Sequence, residues 1–370
     1  MDDKKYPIVE KVESILKSAV NTNATDVHLE PATDGLNVRF RIDGVLQDSE
    51  RLPVAAREGV VARLKVLSRL LTYRTDIPQE GRIPSNGING CTVEFRVATF
   101  PTIRGERCVV RVFREQDRFL GLEELGFSQD QYDTIKQWSL LNDGMLILCG
   151  PAGSGKTSTI YALLKEILAS RGNGTCVMTI EDPVEMELEG VTQTEINPHR
   201  GLGFADALKG MLRQDPQVMV VGEIRDPKTA RIAVQAGLTG QLVITTLHTP
   251  NSVSVFPRLF QMGIQPFHVG SSVKGVLSQR LLRRLCRECG GTGCPQCRMT
   301  GYSGRTAVGE VVRITPKLRD IIIQGGGEHD IVSCLQDSGF SDIASHAADL
   351  VEKEITDKKE VFRIFPDRRV

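Results

Sequence analysis

The sequence predicts an α/β protein built from two different parts, and three observations lead to this prediction. Before residue 113, apolar and polar residues alternate in short runs, as they do in half-exposed antiparallel strands. After residue 128, continuous apolar runs are separated by helical stretches, which indicates a parallel sheet covered by helices on both faces. The first of these runs leads through a glycine-rich loop into a helix, a strand–loop–helix order.

The first 113 residues are predicted to form a small α/β domain with a half-exposed antiparallel sheet. The spacing of apolar residues predicts helices over 8–20 and 54–72. The pair Asp43-Gly44 between two alternating runs predicts a hairpin. The charged stretch 114–127 contains glycines and is predicted to be a linker. The predicted strands are 25–31, 36–42, 91–100 and 107–113.

The glycine-rich loop, 150–157, has the pattern G-x-x-x-x-G-K-[ST] that is typical of phosphate-binding loops. An apolar run, 145–149, precedes it, and a helical stretch over 157–169 follows. Backbone N–H groups and the helix N-terminus would bind a phosphate, Lys156 would reach the β- and γ-phosphates, and Thr157 would ligate Mg²⁺. The predicted nucleotide ligands are Gly150, Pro151, Ala152, Gly153, Ser154, Gly155, Lys156, Thr157 and Ser158.

Three later apolar runs end in side chains suited to ATP hydrolysis. In chain order, these side chains are Glu181 with Glu185, Glu223, and His248. The carboxyl ends of parallel strands form the edge at which α/β sheets bind ligands, so these groups are predicted to meet the loop there. A carboxylate would orient the attacking water and His248 would sense the γ-phosphate, but the residues leave open which glutamate activates water.

Transferring a phosphoryl group also requires positive charge, and the core supplies few arginines. Arg82, Arg96 and Arg107 of the N-terminal part are therefore candidate donors, although pairing on the surface is the ordinary role of an arginine.

Four cysteines crowd into twelve positions with the spacing C-x2-C-x4-C-x2-C, which predicts a structural zinc site. Two CxxC turns supply the four thiolates that Zn²⁺ favours, and the glycines at 290, 291 and 293 would let the short spacer fold back. A redox or iron–sulfur role is the alternative. Residues 301–305 are predicted to form a turn, and 315–360 small helices. The predicted zinc ligands are Cys286, Cys289, Cys294 and Cys297.

Composition limits the remaining possibilities. With 370 residues the chain can form two or three domains, and Lys+Arg and Asp+Glu both number 46. This balance gives no electrostatic support for binding nucleic acid. The sequence shows no signal peptide and no apolar run of eighteen residues, so a cytoplasmic protein without a transmembrane helix is predicted.

These motifs together resemble the secretion and type IV pilus assembly ATPases, a family that includes type II secretion ATPases, pilus-extension motors and competence-pilus ATPases. The resemblance runs over nearly the whole chain, and it includes the family's Asp box (179–185) and His box (246–249). The other segments that carry it are 25–31, 41–44, 80–82, 95–97, 105–107, 150–157, 212–216, 222–226, 301–305 and residue 310.

The resemblance implies a PAS-like domain, a RecA-like ATPase core and a hexameric ring. It implies that ATP lies between the two domains, with Arg82 and Arg96 as arginine fingers, Glu181 and Glu185 as Asp-box acids, and Glu223 as the Walker B glutamate. Closing and opening of the domains would then drive a platform protein at the inner membrane. The implied domains are 1–113 (PAS-like), 114–127 (linker), 128–285 (RecA-like core), 286–305 (zinc segment) and 306–370 (helical region).

Three departures from the family pattern qualify what the resemblance implies. Many members carry a further N-terminal docking domain, which is expected here to be absent or removed. The two CxxC pairs are usually separated by a longer insert, and Gln241 stands where a histidine is usual.

Three further hypotheses compete with an assembly motor. The first is a retraction motor, which is disfavoured because retraction motors of the family generally lack the four cysteines. The second is a nucleic-acid-pumping ATPase of the conjugation type, which the balanced charge does not support. The third is a non-catalytic scaffold that binds nucleotide and zinc, which the full set of acids and arginines disfavours.

Overall fold

A computed structural model describes residues 6–85, 87–88, 93–113, 121–172, 174–197 and 201–366. The chain divides into two compact units, Met1–Arg118 and Phe119–Val370. The first part of the predicted linker, 114–120, lies outside the described residues. Its second part, 121–127, contains a short 3-10 helix, Leu122–Glu124.

The N-terminal unit is a six-stranded antiparallel sheet with two helices packed on one face. Its strands are β1 (Asp26–Ala32), β2 (Gly35–Ile42), β3 (Val45–Leu52), β4 (Gln79–Ile83), β5 (Glu94–Thr102) and β6 (Gly105–Phe113). Its helices are α1 (Ile8–Asn21) and α2 (Val54–Leu67). The order across the sheet is β3-β2-β1-β6-β5-β4, so the first and last strands of the chain segment meet in the middle. Alternate residues of the strands and the apolar faces of both helices form one core.

The predicted elements of this unit are found, with two shifts in their bounds. The hairpin between β2 and β3 turns at Asp43 and Gly44, both with positive φ, as the Asp-Gly pair predicts. Helix α2 ends five residues before its predicted end, because Arg69 takes a positive φ and Ser68 bonds back to the last turn. Strand β5 begins at Glu94, and the predicted strand residues 91 and 92 lie outside the described part of the chain.

The C-terminal unit contains a seven-stranded sheet in the order β13-β12-β7-β11-β10-β8-β9. Among the described strands of this sheet, β13 alone runs antiparallel to its neighbour. The strands are β7 (Gly144–Cys149), β8 (Val177–Glu181), β9 (Thr192–Glu195), β10 (Val218–Val221), β11 (Leu242–Leu247), β12 (Val273–Leu285) and β13 (Tyr302–Arg313). The helices are α3 (Gln129–Trp138), α4 (Lys156–Arg171), α5 (Phe204–Met211), α6 (Pro227–Leu238), α7 (Val255–Gln261), α8 (Pro266–Ser272), α9 (Pro316–Ile323), α10 (Glu328–Asp337), α11 (Ile343–Glu352) and α12 (Lys358–Ile364).

Helices cover both faces of this sheet, as the continuous apolar runs predict. In β7, Met145, Ile147 and Cys149 pack into one apolar cluster, while Leu146 and Leu148 pack into a second cluster on the other face. A strand buried on both faces carries apolar residues at every position, which is why these runs do not alternate.

The long hairpin of β12 and β13 corrects the interpretation of the C-terminal region. The predicted turn over 301–305 is wrong, because β13 begins at Tyr302 and pairs with β12 as far as Arg313, with an irregularity between Arg283 and Leu285. The predicted helical region, 306–370, therefore starts with strand residues, and its helices begin at Pro316. Polar side chains such as Arg283 interrupt the apolar pattern of β12, and they are satisfied by partners from distant segments that no local pattern shows.

Within the described residues, none of the helices combines the length and the apolar character that crossing a membrane would need.

Candidate active site

The predicted nucleotide-binding groups meet at the carboxyl edge of the parallel sheet. Strand β7 leads into the phosphate loop, β11 into His248, β10 into Glu223, and β8 ends in Glu181. Because the strand order is β7-β11-β10-β8, His248 lies between the phosphate loop and Glu223. Gln241, at the start of β11, lies at the opposite edge of the sheet, so it has no part in this group.

The phosphate loop is closed on itself around the Lys156 ammonium. Nζ of Lys156 donates to the carbonyl oxygens of Gly150 and Pro151, each at 2.9 Å. Burial lowers the pKa of Lys156, and the nearby Arg280 guanidinium lowers it further. Gly150 takes φ 140°, and a Cβ there would lie 2.5 Å from the Gln279 carbonyl oxygen, so only glycine fits.

Glu223 is the acid that projects from the end of β10 toward exposed groups. Its carboxylate accepts a hydrogen bond from Arg225 and lies 3.5 Å from Nε2 of His248. Both of these partners are largely exposed, whereas the Glu223 side chain is 16% exposed. Glu223 therefore lies between the buried sheet and the solvent, where it can exchange partners when a ligand arrives.

Glu181 has a different environment, because its carboxylate is buried and accepts hydrogen bonds from three side chains. Tyr161 donates to one oxygen, and Thr179 and Gln193 donate to the other at 2.6 and 3.1 Å. Burial raises the pKa of the Tyr161 hydroxyl, and the adjacent Glu181 raises it further, so Tyr161 stays a donor. These bonds connect the end of β8 to α4 and occupy three of the about four lone-pair sites of the carboxylate.

Glu185 is exposed and lies beside the N-terminus of α4. Its Oε1 accepts a hydrogen bond from the Thr157 hydroxyl at 3.4 Å. A hydroxyl and a carboxylate are oxygen ligands of the kind that Mg²⁺ takes, so this pair fits the predicted magnesium site.

The candidate arginines lie in the N-terminal unit. Arg82 on β4 stands directly opposite Arg96 on β5, and Arg96 stands opposite Arg111 on β6. Acidic neighbours balance part of this charge, since Nε of Arg96 lies 3.7 Å from Oε1 of Glu94 and Nε of Arg111 donates to Oδ1 of Asp26 at 3.0 Å. Arg107 bonds to Glu30 at 2.9 Å and to Nδ1 of His28 at 3.0 Å.

The four predicted zinc ligands converge in the loop that connects β12 to β13. All four Sγ atoms lie within 4.8 Å of one another. The separations are 3.9 Å for Cys286–Cys294, 3.8 Å for Cys289–Cys297 and 3.7 Å for Cys294–Cys297. A tetrahedral Zn²⁺ with Zn–S bonds of about 2.3 Å needs sulfur atoms about 3.8 Å apart, so the donor set fits zinc.

Backbone N–H groups are directed at the same sulfur atoms. Gly293 N donates to Cys289 at 3.2 Å, and Cys294 N and Gly301 N donate to Cys297 at 3.2 and 3.3 Å. Burial alone would raise the pKa of Cys297, but these two N–H groups lower it to about 6, which favours the thiolate that binds metal. The three glycines of the segment have positive φ, as the short spacer requires: Gly290, Gly291 and Gly293.

Several residues of these sites were not predicted from the sequence, among them Tyr161, Arg225, Arg111 and Gln193. Tyr161 lies four residues after Thr157, one turn along α4, so helical spacing could have placed it near the site. Arg225 lies two residues after Glu223 within a segment that carries the resemblance, but no role was predicted for it. Arg111 could have been found only from the pairing of β5 with β6.

Comparison with known proteins decides the family. The family described as "Type II/IV secretion system protein" matches residues 1–363. The chain belongs to this family. The type II secretion system protein HxcR of Pseudomonas aeruginosa is 39% identical over 369 residues, which cover 98% of this chain and 78% of HxcR. The type II secretion system ATPase E of Vibrio cholerae is 37% identical, over 97% of this chain and 75% of that protein. The chain is therefore an ATP-hydrolysing enzyme of the type II secretion and type IV pilus class.

Pilus proteins and solved structures extend this result. The type IV pilus assembly ATPase TfpB of Acinetobacter baylyi is 36% identical over 97% of this chain and 66% of TfpB. The structure of the pilus retraction motor PilT with bound ADP has a TM-score of 0.69 at 23% identity, over 96% of this chain and 97% of that one. The ATPase DotB of Legionella pneumophila has a TM-score of 0.75 at 20% identity, over 100% and 98% of the two chains. The two structures support the α/β fold with its parallel-sheet NTPase domain.

Proposed function

We propose that this ATPase is the motor that assembles a type II secretion pseudopilus or a type IV pilus, acting as a hexamer on a platform protein of the inner membrane. One observation carries the proposal. Proteins named for type II secretion and for pilus assembly are 36–39% identical over 97–98% of the chain. The four cysteines support the same choice, because retraction motors of the family generally lack them. The motor would work in the cytoplasm, at the inner face of that membrane.

The site residues have separate roles in this proposal. The phosphate loop binds the β- and γ-phosphates, and Lys156 leaves the loop carbonyls to reach them. Thr157, with Glu185 beside it, would hold Mg²⁺, which neutralises phosphate charge when bound. Glu223 orients the attacking water and His248 senses the γ-phosphate. Glu181, whose carboxylate accepts from three side chains, is a positioning residue that fixes the end of β8.

Arg82 and Arg96 are proposed to complete the charge around the γ-phosphate when the N-terminal unit closes over the nucleotide. Their support is the resemblance and their direct opposition across β4 and β5. Closure and opening in a ring of six chains would turn each hydrolysis event into motion of the platform protein.

Deleting the gene in its own organism distinguishes the candidate functions. An assembly motor is required to build the fibre, so loss should remove surface pili or abolish type II secretion, and a wild-type copy should restore them. Counting fibres by electron microscopy and assaying secreted protein measures this. Excess fibres would indicate a retraction motor instead. Unchanged fibres and secretion, together with lost DNA transfer, would indicate a nucleic-acid pump and contradict the proposal.

The tetracysteine site is proposed to hold one structural Zn²⁺. Four thiolates would close the coordination shell, so the metal would have no open position for catalysis. The site would join the ends of β12 and β13 and support α12, because Leu285 N bonds to the Ile355 carbonyl and the Tyr302 hydroxyl to Asp357.

Protein purified without added metal should contain about one Zn²⁺ per chain. The double variant Cys289→Ser/Cys294→Ser should contain none and should unfold at a lower temperature, because two of four ligands are lost. Metal analysis and thermal melting measure this. Cys176→Ser is the matched control, since Cys176 is half-buried in the same unit but outside the cluster. Iron in place of zinc, or no metal with four reactive thiols, would refute the assignment.

A further inference from the structure

We infer that Gln279 on β12 is a positioning residue that holds the phosphate loop in the conformation that accepts phosphate. The inference rests on the proposed role of that loop in binding nucleotide. Gln279 is 1% exposed, and within the described part of the chain its side chain donates to a backbone carbonyl of the loop and not to a reacting group of the proposed mechanism. Its effect on the nucleotide would pass through the backbone of the loop.

Gln279 stands where β7 ends and the loop begins. The residue before it, Ser278, pairs with Cys149, the last residue of β7. The Gln279 amide then reaches into the loop, and its Nε2 donates to the Ser154 carbonyl oxygen at 2.8 Å. The same Nε2 would lie 3.0 Å from a Cβ on Gly155, so the amide packs directly against the Ser154–Gly155 peptide.

This hydrogen bond fixes the direction of one loop N–H group. In a trans peptide the C=O and the following N–H point in opposite directions. With the Ser154 carbonyl directed at β12, the Gly155 N–H points away from β12, and in the proposed site it would donate to a phosphate. Gly155 has φ 88°, a conformation in which glycine meets little resistance to a peptide flip, so the loop needs an external restraint.

Two buried polar atoms indicate that the amide is not kept for stability. Among the described residues, neither Oε1 of Gln279 nor Oγ of Ser154 has a hydrogen-bond partner. Rotating the Gln279 amide by about 180° would place Oε1 against the Ser154 carbonyl oxygen. Both atoms are acceptors, so the amide keeps its present orientation and Oε1 stays unpaired. An apolar side chain of similar shape would remove this unpaired acceptor but leave the Ser154 carbonyl oxygen unpaired, so the amide adds little net stability. We therefore assign the Nε2 donor of Gln279 to orienting the Ser154–Gly155 peptide of the loop.

Replacing Gln279 with methionine tests the inference. Gln131→Met is the matched control, because Gln131 is 4% exposed and its Nε2 donates to the Gly309 carbonyl at 2.7 Å, away from the phosphate loop. Gln279→Met loses one hydrogen bond and Gln131→Met loses two, since Oε1 of Gln131 also accepts from Ser128 N at 3.2 Å, so the melting temperature without nucleotide should fall at least as far in Gln131→Met. The dissociation constant for Mg-ADP, measured by calorimetry, should rise about tenfold in Gln279→Met and stay within about twofold of wild type in Gln131→Met.

A second variant tests whether weaker binding in Gln279→Met comes from the lost hydrogen bond or from a general loss of structure. Gln279→Glu keeps the shape but sets a carboxylate oxygen against the Ser154 carbonyl, so binding at pH 8 should be weaker than in Gln279→Met. A protonated carboxyl can donate, so the ratio of its dissociation constant to that of wild type should fall as the pH is lowered to 6.

Lys156→Ala distinguishes a failure of the proposed nucleotide site from a failure of the role proposed for Gln279. If Lys156→Ala binds Mg-ADP as wild type does, the loop is not the nucleotide site, and both the proposed function and this inference fail. If Lys156→Ala loses binding while Gln279→Met binds like Gln131→Met, only the inference is overturned. A Gln279→Glu ratio that does not change with pH would also overturn it.

Discussion

Replacing Lys156 with alanine should lower ATP hydrolysis by about 10³-fold, equivalent to about 4 kcal/mol of transition-state stabilisation. The transition state of phosphoryl transfer spreads negative charge over the γ-phosphate oxygens, and the Lys156 ammonium is the cation that the phosphate loop itself carries. The variant should also bind Mg-ATP more weakly, because the same charge contacts the ground state. Steady-state release of phosphate measures the first effect and calorimetry the second.

Lys165→Ala is the control for this experiment, since Lys165 is exposed on the same helix, two turns beyond the loop. It should hydrolyse ATP at close to the wild-type rate. Mixing Lys156→Ala with wild-type chains also tests the proposed ring. If six chains act together, activity should fall more steeply than the wild-type fraction, whereas independent chains would give a straight line. Full activity of Lys156→Ala alone would contradict the proposed site.

The parts of the site that could be predicted from the sequence are those specified by one short segment. The phosphate loop is defined by its own spacing and by the strand and helix beside it, and the structure has β7 and α4 there. The cysteine cluster is defined in the same way, because two CxxC turns and three glycines with positive φ lie within a few residues. Strand ends at Glu181, Glu223 and His248 followed from apolar runs that stop at polar side chains.

The parts that could not be predicted depend on contacts between distant segments. The order β7-β11-β10-β8 differs from chain order, so the sequence could not show that His248 neighbours Glu223 at 3.5 Å. The burial of Glu181 depends on Tyr161 and Gln193, which come from different segments, so three similar acids could not be told apart. The hairpin of β12 and β13 was missed for the same reason, since its polar residues are satisfied only after folding.

Because Glu181, Glu185 and Glu223 have different environments, replacing each with glutamine should have a different effect. Glu223→Gln should lower turnover the most of the three. A carboxylate that orients water or takes its proton contributes about 10²- to 10⁴-fold, so kcat should fall by at least about 10²-fold. The amide keeps the shape and can still bond to its neighbours, so the dissociation constant for Mg-ADP should stay within about threefold of wild type. Single-turnover and steady-state assays with calorimetry separate the two quantities.

Glu181→Gln tests whether Glu181 takes part in the chemical step or only holds the end of β8 in place. Its carboxylate already accepts from Tyr161, Thr179 and Gln193, and an amide would set an N–H group against one of these donors. The loss should appear as about 1–3 kcal/mol of folding stability, with kcat reduced less than in Glu223→Gln. Glu185→Gln should instead raise the Mg²⁺ concentration needed for half-maximal activity, because Glu185 contacts Thr157. If Glu181→Gln abolished turnover in a stable protein while Glu223→Gln remained active, the roles proposed for these two acids would be reversed, and water would have to reach the buried end of β8.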